Sequence, residues 1–297
     1  NLDYSCVSGF CPSFVSVLNA VPKQRAPQDD AEILFEPLPA VQLPDLSRPW
    51  NTVVAGIGGT GVLTVTALIA MAAHIEGKGC ATLNQTGLAQ KFGAVVSHVR
   101  IAQQQDDIKA VRVPAGEADL LLGCDLVVST GYDTMGKTAI GRTQAIINDA
   151  ALPTAAFIHD PDAELPTAAM RAHVEEQTGT ENVLFVNATK IAESLLGDSL
   201  YVNLFLLGVA FQQGQVPVSD AALNAAIELN GKSISGNQKA LLMGRRYAVW
   251  PDRVVAMLPA SASEQLITPT IEALIDDRMQ RLARYQSTRL AEHYGQE

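Results

Sequence analysis

The sequence predicts an α/β fold: a doubly wound, mostly parallel sheet with a glycine-rich strand–turn–helix start and a C-terminal helical extension. Three observations carry this. From Thr52 to Ala73 the chain reads TVVAGIGGTGVLTVTALIAMAA, with no charge at any position. Small and β-branched residues there run into Gly56-x-Gly58-Gly59-x-Gly61 and then a long apolar segment, the pattern of a buried strand, a tight turn and a helix. Beyond it, short apolar runs alternate with helix-like stretches, as a parallel sheet with crossover helices requires. From Leu200 onward the pattern turns helical.

Residues 1–20 carry Cys6 and Cys11 in a loop running into a short strand. Residues 21–49 hold Pro22, Pro27, Pro37, Pro39, Pro44 and Pro49, six of the fifteen prolines, which blocks helix and central strand and predicts an extended linker. A compact α/β domain is expected over 50–230. Its first helix spans 61–76 and stops at Gly77 and Gly79, with a short strand at 80–83 and a β-rich run at 94–102. Further strands are expected at 110–113 and at 126–130, the latter entering Gly131, with a helix over 134–149 and another strand at 154–158. Pro166 opens a helix to Gln177, with Gly179 past its end. A strand at 182–186 leads to Asn187, which caps a helix that Gly197 terminates. Residues 201–213 are apolar on nearly every side, Ser219 caps a helix ending at Asn230-Gly231, and another covers 237–249. The region 231–297 forms the helical extension. Its last helix, 269–294, starts at Thr268-Pro269, repeats Ile267, Ile271, Leu274/Ile275, Leu282 and Tyr285 on one face, pairs Asp277 with Arg281 on the other, and is placed to pack on a partner.

A net charge of −10 argues against a nucleic-acid surface, which needs clustered Lys and Arg. The apolar run Val62–Ile75 is too short to span a bilayer, and no signal-type segment precedes it, so a cytoplasmic location is expected. The chain starts at Asn1 without an initiator methionine, as a processed chain or a piece of a longer protein does.

The glycine turn admits two readings. Glycines let backbone approach a pyrophosphate, and a helix N-terminus favours the anion. A nicotinamide site also wants Asp or Glu at the end of the second strand, where this chain has Cys80-Ala-Thr-Leu-Asn84. The other reading is tight strand–helix packing, with protein rather than water covering the charge-free helix. Around 84–100, Gln85, Thr86, Gln90, Lys91, Ser97 and His98 lie near a glycine-punctuated loop and could grip a phosphate or carboxylate, or satisfy their own backbone. Cys80 and Cys124 sit in apolar contexts and read as core cysteines. Cys6-x4-Cys11-Pro12 suits cluster ligation, but two thiolates cannot hold a four-iron cluster alone. No catalytic triad, metal spacing or paired carboxylate is visible, so no catalytic residue is assigned.

Two motifs together resemble the 2-oxoacid:ferredoxin oxidoreductase superfamily, and most closely the long, fused indolepyruvate:ferredoxin oxidoreductases. One is Asp3-Tyr-Ser-Cys6-Val-Ser-Gly-Phe-Cys11-Pro-Ser-Phe14, similar to the end of that family's thiamine-diphosphate domain. The other is Gly56-Ile-Gly-Gly-Thr-Gly61 with Asn84-Gln-Thr-Gly-Leu-Ala-Gln-Lys-Phe-Gly-Ala-Val-Val-Ser-His-Val-Arg-Ile101, similar to the start of its gamma-type domain. The resemblance implies that Cys6 and Cys11 help hold a [4Fe–4S] cluster whose other ligands lie outside this chain, with one cysteine expected immediately before Asn1. It implies oxidative decarboxylation of a 2-oxoacid to acyl-CoA. Thiamine diphosphate and Mg2+ would sit in upstream domains, CoA would be co-substrate, and ferredoxin would accept electrons within a homo-oligomer. Gly56, Gly58, Gly59 and Gly61 would shape a turn that binds no NAD, with Gln85, Thr86 and Lys91 as the polar contacts beside it. Phe92 stands where the family usually has a second glycine. Readings of a different class are a stand-alone NAD-dependent dehydrogenase and a non-catalytic oligomerisation scaffold.

Overall fold

The computed structural model describes residues 35–86, 93–150, 165–259, 270–285 and 287–296. In chain order these form β1 (Trp50–Ile57), α1 (Val62–Ile75), β2 (Gly79–Thr86), β3 (Ala94–Ala102), β4 (Leu120–Gly123), α2 (Leu126–Ser129), α3 (Tyr132–Met135), β5 (Gln144–Asn148), α4 (Thr167–Thr178), β6 (Val183–Val186) and α5 (Ala188–Ile191). Four more helices follow: α6 (Val202–Gln212), α7 (Asp220–Asn230), α8 (Ile234–Val249) and α9 (Pro251–Ala256). One compact unit ends at Met257, and the second lies within Leu258–Glu297, where α10 (Ile271–Tyr285) and α11 (Thr288–Gln296) stand.

The six strands form one sheet in the order β2-β3-β1-β4-β5-β6. β1, β4, β5 and β6 run parallel, and β3 runs against both neighbours, so it alone is reversed. Helices cover both faces, as a doubly wound sheet requires. Val53, Ala55 and Ile57 of β1 join Leu121, Ala145 and Ile147 under Leu126, Met135 and Val174 of α2, α3 and α4. The alternate residues face α1 and α6, and the sheet is near-continuously apolar because it is buried on both sides.

Local signals position the helices that matter for the site. α1 buries seven residues, and Leu63 and Met71 on its outer side stay 45% and 41% exposed. α6 is buried at every position from Val202 to Phe211, as its all-round apolar pattern predicts. α8 lies along α6, on the far side of the expected 230/231 boundary, because glycines remove the side chains at the crossing. A Cβ on Gly208 would overlap the Leu241 carbonyl, and one on Gly244 the Phe205 carbonyl. Ser219 and Asn187 cap their helices as expected, accepting from Ala222 N at 3.2 Å and Lys190 N at 3.1 Å. Residues 35–49 contain no helix or strand, and Gln212 Nε2 donates to the Pro39 carbonyl at 2.8 Å.

Four expected elements differ. The strand expected at 126–130 is helix α2, because Asp125 caps it by accepting from Val128 N at 2.9 Å. The central strand is instead the preceding run, Leu120–Gly123, which pairs with both β1 and β5. The helix expected over 134–149 is broken: α3 ends at Met135, Gly141 has φ 73°, and Gln144–Asn148 is drawn into the sheet between β4 and β6. No strand forms at 110–113, where side chains take the backbone bonds: Arg100 Nη1 donates to the Ala110 carbonyl and Val113 N to His98 Nδ1. The single helix expected over 269–294 is two helices, α10 and α11. The strand expected at 154–158 lies outside the described residues.

Candidate functional site

The glycine turn joins β1 to α1 at the C-terminal edge of the sheet, where open α/β sheets place their ligands. Each glycine does a separate job. Gly56 is a packing position: a Cβ there would stand 2.7 Å from Val62 Cγ2 and 2.9 Å from Cys124 Cβ. Gly58 N donates to the Gly93 carbonyl at 2.8 Å, tying the turn to the entry of β3. Gly59 and Gly61 have φ of 92° and 98°, in the left-handed region. Thr60 closes the turn by donating both its N–H and its Oγ1 to the Ile57 carbonyl, at 3.3 and 2.8 Å.

A cavity of about 460 Å³ opens above this turn, lined by Gly58, Gly59, Gly61, Leu63, Thr64, Thr86 and Val95 among others. α1 has neither a side-chain cap nor an acid in its first turn. The first N–H groups of a helix have no partner within it, and with the helix dipole they favour an anion. Among the described residues, the cavity therefore offers a phosphate or carboxylate backbone groups rather than charged side chains.

The candidate polar residues separate. Thr86 is exposed and faces the cavity. Gln85, one position earlier on β2, points to the opposite face, as strand alternation dictates, and its Oε1 accepts from His98 Nε2 at 2.9 Å. His98 is fully buried, and burial pushes its pKa down to about 4, with Lys137 and Arg112 adding to the effect. Val113 N donates to Nδ1 at 3.3 Å, so the neutral ring carries its proton on Nε2 and serves as a structural link. Lys91, Cys6 and Cys11 lie outside the described residues.

Of the described cysteines, Cys80 is half-buried and burial pushes its thiol up to about 11; Cys124 is buried and pushed higher still. Neither joins a group that could hold a metal, and among the described residues no three His, Cys, Asp or Glu side chains converge. A cluster would therefore not fit on these two thiols.

Two polar residues that the linear pattern did not single out hold the site together. Asn203, in an otherwise apolar helix, donates from Nδ2 to the Thr60 carbonyl at 3.0 Å and fixes the turn from 143 residues away. Asn148 at the end of β5 donates to the Cys124 carbonyl at 3.2 Å and accepts from Ala188 N at 3.1 Å, joining three elements along the same edge. Polar residues inside apolar runs are the signal that could have found both.

The sheet order bears on the dinucleotide reading. The classical dinucleotide fold sets its second strand beside its first, which brings the ribose-binding acid near the turn. Here β3 stands between β1 and β2, and β2 ends in Asn84-Gln85-Thr86 without an acid.

Comparison with known proteins places the chain. The family described as pyruvate ferredoxin/flavodoxin oxidoreductase matches residues 51–247. The indolepyruvate oxidoreductase subunit IorB of Archaeoglobus fulgidus is 32% identical over 206 residues, covering 67% of this chain and 95% of that protein. Its namesake from Thermococcus kodakarensis is 28% identical over 204 residues, covering 68% and 96%. A solved keto/oxoacid ferredoxin oxidoreductase gamma subunit from Geobacter sulfurreducens aligns at a TM-score of 0.47 and 19% identity, covering 67% of this chain and 98% of that one. No described helix is long and apolar enough to cross a membrane. With the family match spanning most of the α/β unit, the chain belongs to the pyruvate ferredoxin/flavodoxin oxidoreductase family.

Proposed function

We propose that this chain supplies the gamma-type domain of a cytoplasmic 2-oxoacid:ferredoxin oxidoreductase acting on indolepyruvate or another aryl-pyruvate. The observation that carries the reading is the family match over 51–247, and the relatives named as indolepyruvate oxidoreductase subunits support the substrate class. In this reading residues 1–20 end a thiamine-diphosphate domain, and Cys6 and Cys11 contribute to a [4Fe–4S] cluster. The linker 21–49 leads to the gamma-type domain, and the chain works in a homo-oligomer that passes electrons to ferredoxin. Thiamine diphosphate supplies the decarboxylation chemistry when bound in upstream domains.

The task of this chain's own residues is narrower. The α1 N-terminus and the turn Gly58–Gly61 hold an anionic part of CoA or of the 2-oxoacid. Thr86 offers a hydroxyl at the cavity wall, and Lys91 lies in the loop that follows it.

Two measurements test this. The purified enzyme containing the chain should reduce a viologen dye only when an aryl-pyruvate, thiamine diphosphate and CoA are all present; no reduction with any 2-oxoacid would end the functional reading. For the cavity, Gly59→Asp and Gly59→Asn make the same backbone demand at φ 92° and differ in charge. Asp should raise KM for CoA or the 2-oxoacid by roughly tenfold over Asn, as expected for about 1.4 kcal/mol of lost anion binding. Equal values for the two variants would remove the anion site. Cys6→Ala and Cys11→Ala should each lower the iron content of the reconstituted full-length enzyme.

A further inference from the structure

We propose that β2 is a self-association edge. The β2 strands of two copies pair antiparallel about a two-fold axis at Asn84, which joins their sheets and brings their α1 helices together on one face. This rests on the homo-oligomer reading above and names its interface. The first observation is an open edge. β2 is an outermost strand of the sheet, paired only with β3, and both belong to the first compact unit. Cys80 N donates away from β3, to Gln105 Oε1 at 2.9 Å. By the alternation of an antiparallel ladder, the N–H and C=O groups of Thr82, Asn84 and Thr86 point outward as well. The start of the strand is shielded: besides the bond from Gln105, a Cβ on Gly79 would overlap the Gln104 carbonyl. Beyond Cys80, no described hydrogen bond takes the outward groups, and the side chains of Thr82, Asn84 and Thr86 are exposed. Proteins blunt a free edge with charge, proline or a bulge, and the run Ala81–Thr86 has none of the three.

The second observation selects the occupant. Thr82-x-Asn84-x-Thr86 reads the same in both directions. An antiparallel copy centred on Asn84 therefore sets Thr82 opposite Thr86 twice and Asn84 opposite Asn84, all on one face of the joined sheet. Threonine pairs are favourable cross-strand neighbours. α1 lies over β2 and β3 on that same face, where Leu63 and Thr86 line one cavity. Its outward residues Leu63, Ala67, Met71 and Ile75, four apart, form an exposed apolar stripe. The two-fold axis lays the two α1 helices antiparallel, stripe toward stripe. Neither α1 nor β2 contains Asp, Glu, Lys or Arg. Each chain carries a net charge of −10, so a second copy is repelled least where it meets this charge-free surface, and a charged partner finds no counter-charge there. The pairing also brings Thr82 of the second copy beside Thr86, at the wall of the cavity over the glycine turn.

The test places charge on the proposed axis of the full chain, read as molar mass by sedimentation or light scattering at low salt. One variant carries Asn84→Lys, the other Asn84→Asp, at an exposed residue whose N–H and C=O take no part in the β3 ladder. The unaltered chain should have twice the 31.6 kDa chain mass. Each variant alone should have the single mass, because like charges would then stand on Cα atoms about 5.5 Å apart. An equimolar mixture should return to the doubled mass, since opposite charges then face one another. Recovery on mixing cannot come from a chain that has merely failed to fold. Met71→Lys should raise the dimer dissociation constant by about tenfold or more, since it puts an unpaired charge into the α1 contact. An unaltered chain that is monomeric overturns both the proposal and the homo-oligomer reading. Variants at position 84 that stay dimeric alone, a mixture that stays monomeric, or a dimer indifferent to Met71→Lys overturn the β2–α1 interface and leave the homo-oligomer reading standing.

Discussion

Asn203 reaches from the first turn of α6 to the carbonyl of Thr60, donating from Nδ2 at 3.0 Å, and is itself 2% exposed. Through this bond the buried, otherwise apolar helix holds the glycine turn in place, so the shape of the cavity depends on a residue far away in sequence. Asn203→Ala leaves the carbonyl without its donor and a gap beneath the turn. The expected loss is about 1–3 kcal/mol in urea unfolding. The same variant should raise KM in the assembled enzyme more than it lowers kcat, since it displaces a binding loop.

Asp119, 2% exposed, gathers four donors at the opposite edge of the sheet. Its carboxylate accepts from Arg48 at 2.7 and 3.0 Å, from Arg142 Nε at 3.1 Å and from Asn51 N at 2.9 Å. Asp119→Ala should cost about 3–5 kcal/mol, because it strands a buried N–H and removes the counter-charge from two guanidinium groups. The Arg48 side chain is 53% exposed, so Arg48→Ala should cost no more than about 1 kcal/mol. Equal losses would show that the pair, rather than the buried carboxylate, sets the energy.

His98 makes stability depend on pH. Its pKa in the folded chain is about 4, below the ordinary 6.5. Between those values the unfolded chain binds a proton that the folded chain refuses, so stability is full above pH 6.5 and falls as the pH drops toward 4. The shift corresponds to about 3 kcal/mol at most. His98→Gln, whose amide can still donate to Gln85, should flatten this part of the profile relative to the unaltered chain. Denaturant unfolding at pH 7, 6 and 5 reads the difference, in which the shared carboxylate titrations cancel.

Gly208→Ala tests the α6–α8 crossing. The new methyl would meet the Leu241 carbonyl, a backbone atom that cannot rotate away. Despite the better helix propensity of alanine, the variant should lose roughly 2 kcal/mol or more. Gly231→Ala is the comparison: its φ is 69° with nothing within 4 Å, and its cost should be about 1 kcal/mol from backbone strain alone. Thermal unfolding should rank the two in that order.

Much of the architecture was legible in the residues because it rests on local chemistry. The glycine turn needs positive φ at Gly59 and Gly61, and only glycine takes that conformation freely. Asn187 and Ser219 announce helix starts because their side chains satisfy the N–H groups a few positions on. α6 reads as buried because no face of it is polar. These are properties of neighbours in sequence, and the family resemblance rests on the same short motifs.

What only the tertiary structure decided concerns partners distant along the chain. Leu120–Gly123 and Leu126–Ser129 are both short apolar runs, and pairing with β1 and β5 makes one a strand while Asp125 turns the other into a helix. Gln85 and Thr86 looked like one polar pair. The pleat of β2 sends them to opposite faces, one to His98 and the other to the cavity. Asn203 and Asp119 acquire their roles only when elements 143 and 71 residues apart meet. Composition and spacing specify which conformations each segment can adopt, and the hydrogen bonds and packing between segments select among them.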